Sequence, residues 1–128
     1  MSKGVYDTRF FVEHFYNPDI DMKRKIREEI RKTKNRSISS VVIHEICVLS
    51  LKKEGKEAAR IRRNFIEKEF KIVDVDSEIA SSSAEFRHKY GLSLADSLIA
   101  STSNLLGAPC VTDDPHLQSV KEIKTRWL

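Results

Sequence analysis

The spacing of apolar residues along the chain predicts amphipathic helices separated by short strands. Apolar positions recur every three to four residues over most of the sequence, and the runs typical of strands are short. The predicted helices cover residues 8–16, about 19–34, 41–53, 56–70, 77–90 and 94–106, with one or two helical turns over 114–120. The predicted strands cover residues 3–6, 36–39, 71–75, 109–112 and, as an edge strand, 123–127.

Residues that favour helix ends flank these segments, and the apolar positions within them define a predicted core. The predicted helix starts are Asp19 or Asp21, Ser39 or Ser40, and Ser93, and the predicted stops are Gly55, Gly91 and Gly107. The predicted apolar helix positions include Phe11, Val12, Phe15, Ile20, Ile26, Ile30, Ala59, Ile61, Phe65, Ile66, Phe70, Leu94, Leu98, Ile99, Leu105 and Leu106. Short strands alternating with helices indicate an α/β layer fold with a mainly parallel sheet, and 128 residues suit one domain, 1–128.

The composition of the chain indicates the cellular compartment in which the protein is expected. No apolar run approaches the length of a membrane span, and the N-terminus has no signal-peptide pattern. Cys47 and Cys110 lie in apolar surroundings and are expected to be small buried residues in a reducing compartment. The two Cys and four scattered His offer no zinc-ligand spacing. We therefore expect a cytoplasmic protein that does not contact a membrane.

The charges are unevenly distributed along the chain. Residues 23–36 carry eight Lys or Arg against two Glu, residues 52–71 carry eight against four, and residues 72–117 reverse the balance with seven acids against two bases. The favoured interpretation is a set of solvated helix faces with ion pairs such as Glu28 with Lys32. The alternative is a basic rim for a polyanion around an acidic cation site.

Carboxylates follow two of the predicted strands. Asp7 comes directly after the first strand, and Asp113 and Asp114 come directly after strand 109–112. In an open parallel sheet, sites form at the carboxyl ends of the strands, so these acids would share one edge. Taken singly, each is more simply a helix cap or turn residue.

Two further acids occupy unusual positions. Asp96 stands three residues after Ser93, so it either helps to cap its own helix or faces a cavity that holds something positive. Glu45 interrupts an apolar run over residues 41–49, and an unpaired buried Glu costs several kcal/mol. It must therefore reach a polar cavity, an ion-pair partner or an exposed strip, whereas its neighbour His44 is expected at a rim or in the core rather than as a ligand.

Bringing Asp7, Glu45, Asp96 and Asp114 together requires either raised pKa values or bound cations, because close carboxylates repel each other strongly. An oxygen-only cluster suits hard divalent ions such as Mg²⁺ or Mn²⁺. Such ions activate an attacking water and stabilise the oxygens of a phosphodiester undergoing hydrolysis. A basic rim would bind flanking phosphates, with affinity that falls as salt rises.

Four segments of the chain resemble the motifs of the PIN domain family, and in particular its VapC-like toxins. The segments are V-Y-D-T over 5–8, S-I-S-S-V-V-I-H-E-I over 37–46, L-S-L-A-D-S-L-I-A over 92–100 and V-T-D-D-P-H-L over 111–117. The resemblance implies that Asp7 and Asp96 are the principal metal ligands and that Glu45 and Asp114 complete the catalytic acids. Supporting roles in the site are predicted for Thr8, Thr112 and Asp113. Asp113 leaves open which acid of the last motif is the closer one, and Leu117 replaces a frequent aromatic.

The resemblance also implies a fold and a function. The fold would be a three-layer α/β/α sandwich with a short, mainly parallel sheet. The activity would be that of an Mg²⁺- or Mn²⁺-dependent endoribonuclease acting on RNA, the toxin of a toxin–antitoxin pair, with a homodimer and a small antitoxin as partner. The alternative is a catalytically weak RNA- or protein-binding module, or an RNA-processing factor outside such a pair. Two other acid-pocket classes, receiver domains and haloacid-dehalogenase-type phosphatases, fit poorly because their further motif residues are missing.

Overall fold

The computed structural model describes residues 2–128, in which seven helices surround a five-stranded sheet. Its elements in chain order are β1 (Lys3–Tyr6), α1 (Thr8–Tyr16), α2 (Ile20–Lys32), β2 (Asn35–Ser39), α3 (Ser40–Lys53), α4 (Lys56–Glu69), β3 (Lys71–Val73), α5 (Ser77–Tyr90), α6 (Leu94–Leu106), β4 (Cys110–Val111), α7 (Pro115–Gln118) and β5 (Thr125–Arg126). Every predicted element is present. Within residues 2–128, no helix combines the length and apolar character needed to cross a membrane.

The strand order explains the layered architecture. The sheet has the order β3-β2-β1-β4-β5, and every neighbouring pair is parallel. Right-handed crossovers place the connections from β1 to β3 over one face and the return connection from β3 to β4 over the other. The predicted three-layer α/β/α fold is therefore confirmed, with a sheet that is parallel throughout the described strands.

The middle of the sheet is the best-shielded part of the core. Val5 on β1 pairs with Ser37 on one side and Cys110 on the other, and it is fully buried. On α1 and after α4, Phe10 and Phe70 pack around Tyr6, with ring centroids 4.7 and 5.3 Å from its ring. Aromatic side chains bury large apolar areas, so this cluster stabilises the strand from which Asp7 emerges.

Helix ends mostly follow the predicted caps. Asp19, Ser39 and Ser93 cap α2, α3 and α6, and the left-handed Gly91 and Gly107 end α5 and α6. Gly55 also stops α3 as predicted, directly after the C-cap, and its N–H donates to the Ser50 carbonyl at 3.0 Å. Glu54 is the C-cap of α3, and Gly55 precedes α4 with φ of 98° because the two helices join through a very short connection.

Some predicted core positions lie on the surface. Ile20, Ile61, Leu94 and Leu105 are exposed, and Cys47 is only partly buried, whereas Cys110 is fully buried as predicted. Ile20 and Leu94 are the first residues of their helices, where less of the helix packs against neighbours. Three strands are also shorter than predicted, since β3, β4 and β5 pair over only two or three residues each.

The basic helices carry many local ion pairs. Arg31 pairs with Glu28 on α2, and Arg63 pairs with Glu67 on α4. The predicted pair of Glu28 with Lys32 does not form, because Glu28 faces Arg31 and the Lys32 ammonium lies 3.9 Å from Glu29. Such exposed pairs contribute little stability, and they favour the interpretation of these faces as solvated surface.

One carboxylate on α2 is buried rather than solvated. Glu29 is 2% exposed, and its two oxygens accept hydrogen bonds from the Arg126 guanidinium at 2.8 Å each. The hydroxyls of Tyr6 and Thr33 donate to Glu29 Oε2, both at 2.6 Å. Burial alone would raise the pKa of Glu29, but these donors outweigh burial and hold it at about 2. The network ties α2 to β1 and to the edge strand β5.

Candidate active site

The acidic residues converge where the strand order reverses. β1 connects towards β2 and β3, whereas β4 lies on the other side of β1. Such reversal points leave a crevice outside the carboxyl ends of the strands. Asp7 follows β1 and residues 112–114 follow β4, so both segments enter this crevice.

Asp7 serves as a helix cap and as a pocket acid at the same time. Its Oδ1 accepts the backbone N–H of Phe10 at 3.2 Å and thereby caps α1, while its Oδ2 accepts the hydroxyl of Thr112. Asp7 is only 2% exposed. Burial raises the pKa of Asp7 to about 6, against the opposing effect of these hydrogen bonds. The capping and site interpretations of this residue are therefore compatible.

Thr112 joins the first and last acidic segments. Its hydroxyl donates to Asp7 and its oxygen accepts the backbone N–H of Asp114 at 2.9 Å. Asp114 in turn caps α7, because its Oδ1 accepts the backbone N–H of His116 at 2.8 Å. Because the buried Thr112 hydroxyl bonds both to the Asp7 carboxylate and to the backbone of Asp114, it fixes the relative positions of the segments after β1 and β4.

Asp96 reaches the same pocket from α6. Ser93 caps that helix by accepting the backbone N–H of Asp96 at 3.1 Å, so the Asp96 carboxylate is not needed as the cap. Burial raises the pKa of Asp96, and the negative charges of Asp114 and Glu45 raise it further. Asp96 therefore carries the electrostatic signature of a group that faces other acids.

Glu45 lies near enough to Asp96 for its charge to act on that residue, and Thr8 holds its side chain. The Thr8 hydroxyl donates to Glu45 Oε1, and Glu45 is half-buried on α3. Among the ion pairs of residues 2–128, Glu45 has no Lys or Arg partner, which disfavours the ion-pair alternative. His44 beside it is exposed, in agreement with a position at a rim.

Asp113 points to a different partner from Asp114. Its two oxygens accept Nε and Nη2 of Arg9 at 3.1 Å each, and the Arg9 side chain is half-exposed. The structure thus separates the two neighbouring acids: Asp114 lies close to Asp96, and Asp113 holds the guanidinium of Arg9. The sequence signal for Arg9 was its position two residues after Asp7 on α1.

His116 also belongs to this pocket, although its spacing to the other His and Cys predicted no metal site. One possible ligand atom from each of Asp96, Asp114 and His116 lies within 4.8 Å of the others. The only available signal was its position two residues after Asp114, within the first turn of α7.

The side chains present suit a divalent cation. Most of the possible ligand atoms are carboxylate oxygens. The pKa values of two of the acids, Asp7 and Asp96, are raised. One possible ligand atom from each of three side chains lies close to the other two. Burial is the main cause of those raised pKa values and repulsion between acids adds to it, and a bound cation would offset both effects by stabilising the ionised carboxylates. Asp96, Asp114 and His116 therefore form the close group of a candidate metal centre. Asp7 and Glu45 are not in that group, although Asp7 is joined to the Asp114 segment through Thr112 and the charge of Glu45 acts on Asp96.

The raised pKa of Asp7 predicts a pH dependence of stability in the metal-free protein. A carboxyl whose folded pKa of about 6 exceeds its unfolded value contributes stability that is present at low pH and lost as pH rises through 6. We expect the free energy of unfolding of the wild type, relative to Asp7→Asn, to increase by about 2 kcal/mol from pH 7.5 to 4.5.

Urea unfolding in the presence of EDTA at both pH values would measure this difference. Subtracting the Asp7→Asn variant removes the opposing contribution of His14, whose pKa is lowered by burial. A difference that stays constant with pH would contradict the burial of an ionised Asp7.

The chain belongs to the PIN domain family, whose model matches residues 5–123. A comparison with curated proteins gives no match.

Several solved structures share the fold. VapBC2 from Rickettsia felis, bound to a DNA fragment from their promoter, is 17% identical, with 98% of each chain covered and a TM-score of 0.80. A toxin–antitoxin complex from Klebsiella pneumoniae is 20% identical, with 94% of each chain covered and a TM-score of 0.73. VapC20 from Mycobacterium tuberculosis, a sarcin–ricin loop cleaving toxin, is 16% identical over 94% of this chain and 98% of that chain, with a TM-score of 0.77.

Proposed function

We propose that this chain is a divalent-metal-dependent endoribonuclease that hydrolyses RNA phosphodiester bonds. The observation that carries the proposal is the close approach of Asp96 on α6 to Asp114 after β4, with Asp7 joined to the same segment through Thr112. The pKa values of Asp7 and Asp96 are both raised. Membership of the PIN domain family and the structural likeness to a toxin that cleaves the sarcin–ricin loop support the same class of reaction.

Each residue of the pocket has a proposed role. Asp7 and Asp96 are the principal holders of Mg²⁺ or Mn²⁺, and Glu45 and Asp114 complete the acidic pocket and orient the attacking water. When bound, the metal lowers the pKa of that water and stabilises charge on the phosphate oxygens. Thr112 keeps Asp7 and the backbone of Asp114 in register, and Thr8 orients Glu45.

The biological role we propose is that of a toxin in a toxin–antitoxin pair. The support is the likeness to VapBC and toxin–antitoxin structures across nearly the whole chain. The proposal includes a single domain, a homodimer, a small antitoxin that blocks the acidic pocket, and a cytoplasmic location where RNA is available. Co-expression with the product of an adjoining small open reading frame should relieve growth arrest; unrelieved arrest would contradict the pairing.

A direct assay tests the nuclease itself. The purified chain should cleave a long single-stranded RNA in Mn²⁺ or Mg²⁺, lose the activity in EDTA, and regain it when Mn²⁺ is added back. Cleavage that is unaffected by EDTA would contradict a metal mechanism. RNA binding without metal-dependent turnover would instead support the alternative of a catalytically weak binding module.

Arg9 is placed to hold substrate at the mouth of the pocket. Its guanidinium is half-exposed and lies beside Asp113, within two residues of Asp7. Exchanging Asp113 for a substrate phosphate would keep the bidentate geometry that arginine favours. We expect Arg9→Gln to raise KM about 3- to 10-fold with little change in kcat, and to reduce the salt slope of RNA binding by about one.

Fluorescence anisotropy over a series of salt concentrations would measure that slope. Arg31→Gln is the matched control, because Arg31 is an exposed arginine that also pairs with a carboxylate but lies at the end of α2. If both variants lost RNA affinity and salt slope equally, Arg9 would contribute only as a general surface charge.

A further inference from the structure

We propose that His116 contributes a nitrogen ligand to the metal centre and makes the site selective for Mn²⁺ over Mg²⁺. This inference rests on the proposed function, because it concerns the ion that the acidic pocket would hold. The imidazole of His116 would add a nitrogen ligand to a site that otherwise offers only carboxylate oxygens.

The geometry brings the imidazole to the acids. His116 Nδ1 lies 3.2 Å from Asp114 Oδ1, and one ligand atom from each of Asp96, Asp114 and His116 lies within 4.8 Å of the others. Among residues 2–128, this is the one group of three potential ligand side chains that approach so closely. An ion at the centre of atoms this close would lie within reach of all three.

The backbone of His116 is fixed although its side chain is exposed. Its N–H donates to Asp114 Oδ1 at 2.8 Å, and its carbonyl accepts the hydroxyl of Ser119 at 2.6 Å. Pro115 precedes it at the first position of α7, where the fixed φ of proline suits a helix start. The imidazole therefore projects from an anchored point beside Asp114, which leaves only side-chain rotations to be ordered when an ion binds.

A nitrogen ligand changes which ion is preferred. Mg²⁺ takes oxygen ligands and gives up its water reluctantly. Imidazole suits first-row transition metals such as Fe²⁺, Ni²⁺ and Zn²⁺, and Mn²⁺, although it favours oxygen ligands, accepts imidazole nitrogen more readily than Mg²⁺ does. Mn²⁺ accepts both oxygen and nitrogen. Replacing one oxygen by the His116 nitrogen should therefore strengthen Mn²⁺ binding and leave Mg²⁺ binding nearly unchanged.

The contact between His116 and Asp114 has a competing explanation that predicts the opposite sign. In that explanation His116 only donates its Nδ1–H to Asp114, and any cation that enters has to break this contact. Removing the imidazole would then tighten the binding of Mn²⁺ and Mg²⁺ together. The two explanations are therefore separated by the direction of the change and by its dependence on the ion.

Isothermal titration of Mn²⁺ and of Mg²⁺ into the metal-free protein at pH 8, where free imidazole is neutral, tests the proposal without RNA. The variants are His116→Gln and His116→Ala, with His88→Gln as the matched control because His88 is an exposed histidine outside the cluster. We expect His116→Gln to weaken Mn²⁺ binding about tenfold or more and Mg²⁺ binding less than threefold, and His88→Gln to change neither.

Electron spin-echo spectroscopy of the Mn²⁺-loaded wild type gives an independent readout. A nitrogen coupling from imidazole should be present in the wild type and absent in both His116 variants. Tighter binding of both ions after substitution, equal affinity for all variants, or the lack of a nitrogen coupling would each overturn the proposal. Failure of the wild type to bind Mn²⁺ at all would instead contradict the proposed function, so the two failures are distinguishable.

Discussion

Replacing Asp96 with asparagine should abolish metal-dependent RNA cleavage while leaving the fold intact. The substitution preserves the shape of the side chain and its place in the first turn of α6, but it removes one of the negative charges that crowd the pocket. Even residues that only hydrogen-bond a metal ligand cost about 10- to 100-fold on mutation, so loss of a principal ligand should cost at least about 100-fold. Gel-based cleavage of a labelled RNA in Mn²⁺ measures the effect.

The same variant should gain stability when no metal is present. Burial and like charges raise the pKa of Asp96, so the ionised side chain destabilises the metal-free fold, and its neutral amide does not. We expect a higher Tm for Asp96→Asn than for the wild type at pH 7.5 in EDTA, and a smaller rise when Mn²⁺ is added. A variant that unfolds or melts earlier would leave loss of cleavage uninformative, and retention of full activity would refute the role of Asp96.

Glu78→Gln provides the matched control for this experiment. Glu78 is an exposed acid in the first turn of α5, so the substitution removes the same charge from the same kind of position without entering the pocket. Its cleavage rate and its response to Mn²⁺ should equal those of the wild type.

Replacing Arg126 with methionine should strongly destabilise the fold without entering the active site. Arg126 donates two hydrogen bonds to Glu29, and its removal would leave a buried carboxylate with the Tyr6 and Thr33 hydroxyls as its hydrogen-bond donors. The Lys32 ammonium, 3.9 Å away and mostly exposed, would be the remaining positive charge. Breaking a buried ion pair by removing one partner typically costs about 3 to 5 kcal/mol. Because Arg126 is one-third exposed, we expect the lower end of that range, about 3 kcal/mol, in chemical denaturation at pH 7.

Acid titration distinguishes this mechanism from a general loss of packing. A carboxylate whose folded pKa of about 2 lies below its unfolded value contributes stability above the unfolded pKa, and this stability is lost as pH falls towards 2. The wild type should therefore lose stability between about pH 5 and pH 3 more steeply than Arg126→Met does. Parallel pH profiles would indicate that Glu29 is not held by Arg126.

Arg31→Met is the control for the same change in an exposed pair. Arg31 and Glu28 form an ion pair on the surface of α2, with side chains that are mostly solvated. Exposed pairs contribute little stability, so this variant should unfold close to the wild type at every pH.

The fold was predictable largely because local patterns agree with the final topology. Apolar spacing and caps such as Ser93 and Gly91 located the helices, and the alternation of helices with short strands indicated a parallel sheet. The pattern of apolar and polar residues could not predict the register of β3, β4 and β5, because these strands pair over only two or three residues. It also could not place Ile20 and Ile61, because a helical stripe does not reveal which of its positions lack a neighbour.

The candidate site was partly predictable for a topological reason. Parallel strands end at one edge, so the sequence alone predicts that Asp7 and the acids after β4 lie together. The choice between Asp113 and Asp114 could not be made, because it depends on Arg9 reaching across from α1. His116 was missed because its partners lie in a cluster that only the folded chain assembles.

The hydrogen bond between Thr112 and Asp7 has a consequence for the order of events during synthesis. It joins residues 105 positions apart, so the pocket cannot close until the segment after β4 has left the ribosome. At typical elongation rates of about 5 to 20 residues per second, roughly 5 to 20 seconds separate the synthesis of the two residues. During that interval the nascent chain carries Asp7 and Glu45 but no complete acidic pocket. The acidic pocket is therefore completed only after the segment that carries Thr112 has emerged, although β1 to β3 and their helices are synthesised earlier.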